Sequence, residues 1–245
     1  MRADDFLAAA DRLPVASLAT LVGRGGLVVV APHPDDESLG CGGLIAAARA
    51  EGREVRLVVV SDGCGSHTHS ALYPPERLRS LREDETRRAV TVLGMDPAHV
   101  TFLRLPDAHV PSEGHEAEAA ALAVAEAARA GAASAVFVTW RHDPHCDHRA
   151  SAAIVGLARR HMPGVAIYEY PVWGWTLPPE TEVGPPPQGM RLDVSAYAAT
   201  KAKAVQAHES QTTDLISDDP TGFRLEPAMI ERLCGPSERF VAVPA

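Results

Sequence analysis

Two short stretches concentrate the side chains able to do chemistry. Residues 32–37, PHPDDE, place one imidazole and three consecutive carboxylates, His33, Asp35, Asp36 and Glu37, just after an apolar run at 27–31. Residues 141–148, RHDPHCDH, carry His145 and His148 on either side of Cys146 and Asp147. Crowded carboxylates cost free energy unless positive charge sits among them, and a divalent cation meets that need. Catalytic zinc takes three protein ligands, N and O among them, and keeps one position open for water. His33 and Asp36 with one histidine of the second stretch supply such a set. His145 and His148 are three apart at a helix start and share one face; spacing alone leaves open which of them ligates. Cys146, between them, points in a different direction. The plain alternative is an acidic turn that caps a helix, with histidines at the surface.

The elements that must position these groups follow from the hydrophobic pattern. Short apolar runs at 27–31, 55–60, 100–103, 135–140 and 165–170 read as strands. Between them, residues 39–51, 76–93, 115–130 and a segment ending near 160 read as helices, and a further helix covers 197–208. This alternation predicts a Rossmann-like α/β domain, mostly parallel, with helices on both faces of the sheet. A single domain spans 1–245, with a lead-in helix inside 1–26. Both reactive stretches then fall at the carboxyl ends of strands, where open α/β sheets bind ligands. Residues 171–194 form a Pro-rich excursion holding six prolines, Trp173 and Trp175. Proline cannot donate to a ladder, so a loop with at most an edge strand is expected there. The tail from 214 onwards reads as irregular.

Composition excludes several classes. The 245 residues carry a formal charge of −9 with no basic stripe, which argues against a nucleic-acid partner. No run approaches the roughly 20 apolar residues of a membrane span. Asp4, Asp5 and Asp11 interrupt the first residues, unlike a secretory signal, and a cytoplasmic location is expected. Cys41, Cys64, Cys146 and Cys234 are scattered without a CxxC pair and read as reduced thiols. A nucleotide-binding Rossmann domain would put its glycines directly after the first strand. Here PHPDDE takes that place, and its acids would repel a phosphate.

PHPDDE at 32–37 followed by HxDH at 145–148 resembles the LmbE-like or PIG-L family of zinc-dependent N-deacetylases. Arg82, Glu85, Ala89, Leu93 and Gly94 are similar to a family helix, and Lys201, Ala204, His208, Ser210 and Gln211 to a later segment. Cys146 stands where the family often has proline. The resemblance implies that His33, Asp36 and His148 bind Zn2+, with Fe2+ or Co2+ suited to the same donors. It makes Asp35 the general base and His145, held by Asp147, the imidazolium that stabilises the oxyanion. Arg82 and Asp107 resemble sugar-contacting positions, and the indoles of Trp173 and Trp175 are suited to line a sugar site. The implied reaction is hydrolysis of the acetyl group of an N-acetylglucosamine-type glycoside, a small-molecule partner, by a chain free to form a homo-oligomer. An amidase of larger acyl or thiol conjugates is the nearest alternative. A non-catalytic sugar-binding module would dispense with Asp35 and His145.

Overall fold

In the computed structural model, which describes residues 1–244, eight strands form one sheet. They are β1 (Val15–Ala16), β2 (Gly26–Ala31), β3 (Val55–Ser61), β4 (Val100–Leu105), β5 (Ala133–Thr139), β6 (Ala166–Tyr170), β7 (Gly189–Asp193) and β8 (Ser237–Ala242). Their order is β1-β7-β8-β6-β5-β2-β3-β4. Every pair is parallel except the two that β8 makes with β6 and β7.

The centre of the sheet explains its composition. β2 lies between β3 and β5, with Val29 opposite Leu57 on one side and Phe137 on the other. Its residues alternate between two cores. Val29 packs with α3 (Asp36–Ala50) and α7 (Ala198–Gln206), whereas Val28 and Val30 pack with α5 (Gly114–Ala130) and α6 (Cys146–Ala158). A strand covered on both faces needs an apolar residue at every position, which is why it reads as a continuous run. The helix α3 sits very close to the sheet at Gly40, where a Cβ would lie 2.1 Å from Tyr170 Cδ2. From β2 the chain builds β3 and β4 on one side, then returns to build β5 and β6 on the other. The gap between the carboxyl ends of β2 and β5 is therefore a topological switch point. The molecule is a single α/β domain with a mostly parallel sheet. No helix among the described residues is long and apolar enough to cross a membrane.

Three expectations need correction. The lead-in helix is broken: α1 (Ala3–Ala10) stops before Pro14, β1 pairs with β7, and α2 (Leu18–Val22) follows with Ser17 as its N-cap. The Pro-rich excursion ends in β7, which is an inner strand between β1 and β8. The prolines all precede it, so its ladder keeps its donors. After α8 (Glu209–Thr212), the tail from 214 onwards is not irregular throughout either, since it supplies α9 (Pro227–Leu233) and the interior strand β8.

Candidate active site and metal centre

After Ala31 the chain turns sharply and enters α3 at Asp36, earlier than its apolar pattern suggests. Asp35 carries the turn at φ 155°, ψ −27°, a sparsely populated conformation for a residue with a Cβ. Glu37 holds it there. Glu37 Oε2 accepts the Asp35 N–H at 3.1 Å, while Oε1 accepts from Ser38 Oγ at 2.7 Å and meets His208 Nε2 at 2.9 Å. The two neighbouring acids consequently diverge. Asp36 Oδ2 lies 3.2 Å from both His33 Nδ1 and His148 Nε2. Asp35 Oδ2 instead lies 3.2 Å from Arg82 Nη2. Arg82 reaches the loop from α4 (Pro75–Val92) and also donates to Pro34 O and Gly63 O, both at 2.9 Å.

The second stretch joins β5 to α6. His145 is the N-cap of α6, and its Nδ1 accepts the Asp147 N–H at 3.2 Å. His148 lies one turn in and is fully buried, its Nδ1 3.4 Å from Asp143 Oδ1. Asp143 is itself pinned, because its Oδ2 accepts the Val172 and Trp173 N–H groups at 3.0 and 2.8 Å. Asp143 thus places a carboxylate behind the His148 ring, the position from which a carboxylate orients a ligand histidine. Sequence reasoning did not single out Asp143, although it stands inside the quoted stretch.

The part expected of Asp147 is corrected by its contacts. Its carboxylate accepts the Ala108 and Val110 N–H groups at 2.7 and 3.1 Å and faces His33 Nε2 at 3.2 Å. Only its backbone touches the His145 ring. That capping bond bears on the imidazolium expected at position 145. An imidazolium would aim an N–H at the N–H of Asp147, so the contact favours a neutral ring with its proton on Nε2. Burial and the neighbouring His33 and His148 charges lower the His145 pKa in the same sense.

Charge at the site calls for a cation. Burial opposes a proton on His33, yet contacts with Asp107, Asp147 and Asp36 raise its pKa well above the usual histidine range. Burial likewise opposes charge on His148, but Asp36 and Asp143 raise it to about 9. Asp36 is held low against its burial by His148 and His33. Despite these short distances, neither ring nitrogen of His148 has a hydrogen-bond partner. The 3.2 Å approach to Asp36 is close enough, but its direction is wrong for N–H···O. Donor atoms of His33, His145 and His148 also lie within 4.8 Å of one another, as do those of His33, Asp107, His145 and Asp147. Imidazole and carboxylate donors around an orphaned buried nitrogen fit a borderline divalent ion such as zinc.

These groups open onto a cavity of about 450 Å³. His33, Asp35, Asp36, Arg82, Asp107, His145 and Trp173 line it, whereas Asp147 and His148 lie beneath its floor. Trp175 does not reach it. Its indole lies over a small separate void with Tyr170 and Lys201 and stacks under Arg232 and Arg239. Gln211 and Phe223 complete the wall from the C-terminal third. Gln211 belongs to the segment already noted for its resemblance, and Phe223 has no sequence signal.

Comparison with known proteins agrees with this geometry. The PIG-L family, described as GlcNAc-PI de-N-acetylase, matches residues 28–158, more than half of the chain and including both reactive stretches. A probable N-acetyl-alpha-D-glucosaminyl L-malate deacetylase 2 from Bacillus anthracis is 26% identical over 196 residues, covering 78% of this chain and 84% of that protein. Among solved structures, the N,N'-diacetylchitobiose deacetylase from Pyrococcus horikoshii superposes with a TM-score of 0.67 at 20% identity, over 90% of this chain and 84% of that one. The 4-carboxy-2-hydroxymuconate hydratase from Pseudomonas putida KT2440 shares the fold as well, at TM-score 0.66 and 17% identity over 90% and 97% of the two chains. Fold alone therefore does not decide the reaction. On the family match and the two motifs it contains, the chain belongs to the PIG-L family.

Proposed function

We propose that this chain is a zinc-dependent deacetylase that hydrolyses the acetamide of an N-acetylglucosamine-type sugar, with His33, Asp36 and His148 as the metal ligands. One observation carries the reading: Asp36 meets both histidines while its neighbour Asp35 turns away onto Arg82. When bound, the divalent cation supplies Lewis acidity at the amide carbonyl and lowers the pKa of a water.

The chain's own residues supply the proton handling. Burial pushes the Asp35 carboxyl up to about 6, which suits a base working near neutrality. Asp35 takes a proton from the attacking water and returns it to the departing amine, so that amide and water become amine and acetate. His145 holds its Nε2 proton toward the cavity, where it donates to the oxygen that gains charge as the carbonyl carbon becomes tetrahedral. Asp107 gives the cavity a polar wall for sugar hydroxyls, and Arg82, beside it in the lining, holds Asp35.

The test is acetate release from a set of 2-acetamido-2-deoxyglucosides beside simple N-acetyl amines, with and without a chelator. Hydrolysis confined to the sugars and abolished by chelation is expected. Equal turnover of the simple amines would remove the sugar assignment, and chelator-resistant turnover would remove the metal.

A further inference from the structure

We infer that the aglycone accepted by this site is uncharged and apolar, an aryl or alkyl group seated on Trp173 and Phe223; the inference rests on the deacetylase reading above. The cavity lining is of two kinds. The catalytic groups and Asp107 make up one. In the other, Trp173 and Phe223 meet edge to face, their ring centroids 5.6 Å apart and their planes at 87°. Two rings at a right angle form a corner that covers one face and one edge of an apolar group.

The backbone carrying each ring is held in place. The Trp173 backbone N–H donates to buried Asp143 at 2.8 Å, tying that backbone to the metal-ligand region. The Phe223 N–H donates to Ser66 O at 2.6 Å, and the preceding Gly222 lies so close to His67 that a Cβ would stand 2.1 Å from its ring. Phe223 nevertheless remains 38% exposed. A substrate group seated against Trp173 would cover this exposed ring.

Charge excludes the other class of aglycone. Arg82 is the only lysine or arginine lining the cavity, and its two terminal nitrogens are already engaged by Asp35 and two backbone carbonyls. Asp35, Asp36 and Asp107 line the same space. Arg224, next to Phe223, is paired with Asp214. A carboxylate or phosphate on the aglycone would meet acids and find no free cation among the lining residues. The substrate class therefore differs from the malate glycoside named for the Bacillus anthracis relative.

The experiment compares three probes on the metal-loaded protein: phenyl 2-acetamido-2-deoxyglucoside, free N-acetylglucosamine and the L-malyl 2-acetamido-2-deoxyglucoside. Acetate release should rank phenyl above free sugar above malyl. Trp173→Ala and Phe223→Ala should each reduce kcat/KM for the phenyl glycoside about tenfold more than for the free sugar, chiefly through KM. A malyl glycoside hydrolysed as well as the phenyl one, or truncations that lower both sugars alike, would overturn the inference. Acetate from none of the probes would instead overturn the deacetylase reading. Tryptophan-fluorescence titration then decides the aglycone independently of turnover: tighter binding of the phenyl glycoside upholds it, and equal or tighter binding of the malyl glycoside refutes it.

Discussion

Arg82 Nη2 lies 3.2 Å from Asp35 Oδ2, and both side chains are buried. The pairing sets the working range of the base. Burial drives the Asp35 pKa up to about 6, while the Arg82 charge pulls the other way. A base must be ionised to act, so activity rises as pH passes upward through its pKa. Removing a nearby positive charge makes ionisation harder and raises that pKa. In Arg82→Met the acid limb of the kcat/KM profile should consequently move to higher pH by about one unit or more. A profile measured between pH 5 and 9 checks this, and an unmoved limb would mean that Asp35 is not the titrating base.

Asp143 predicts an effect on metal affinity. Its Oδ1 faces His148 Nδ1 while its Oδ2 holds two backbone N–H groups. Asp143→Asn preserves an acceptor for those groups but presents an amide N–H₂ or a weaker acceptor to the ring. Metal affinity should fall about 10–100-fold, with kcat largely regained at saturating metal. Competition with a chromogenic chelator measures it; an unchanged affinity would show that Asp143 does not orient the ligand.

Glu37 predicts a cost in stability. It is fully buried and satisfies both the Asp35 N–H and His208. Glu37→Ala orphans both partners, and loss of one member of a buried pair costs about 3–5 kcal/mol. Urea unfolding in the presence of chelator isolates this from metal linkage. A loss below about 1 kcal/mol would mean that the turn at Asp35 is held by other contacts.

How much of this was legible in the sequence depended on burial. β2, β3 and β5 are covered on both faces, so their apolar runs announced them. β8 escaped because Glu238 points inward, its carboxylate 2.7 Å from buried Lys201 Nζ, which breaks the apolar pattern. The motifs placed His33, Asp36 and His148 in one site, since both loops end adjacent strands. The target of Asp147 was not legible. The family resemblance put it on His145, but the loop after β4 supplies the N–H groups of Ala108 and Val110 that turn its carboxylate toward His33. Trp175 shows the same limit: two residues from Trp173, it is half-buried against the core and does not line the cavity.

The division of labour between the adjacent acids is the centre of the account, and bound metal per chain in two variants tests it most directly. After purification and dialysis, elemental analysis of Asp35→Asn should find the same divalent content as the parent protein, with turnover reduced about 10²–10⁴-fold. Asp36→Ala, prepared identically, should retain little or none. Full occupancy in Asp36→Ala, or metal lost from Asp35→Asn, would contradict the assignment of ligand and base.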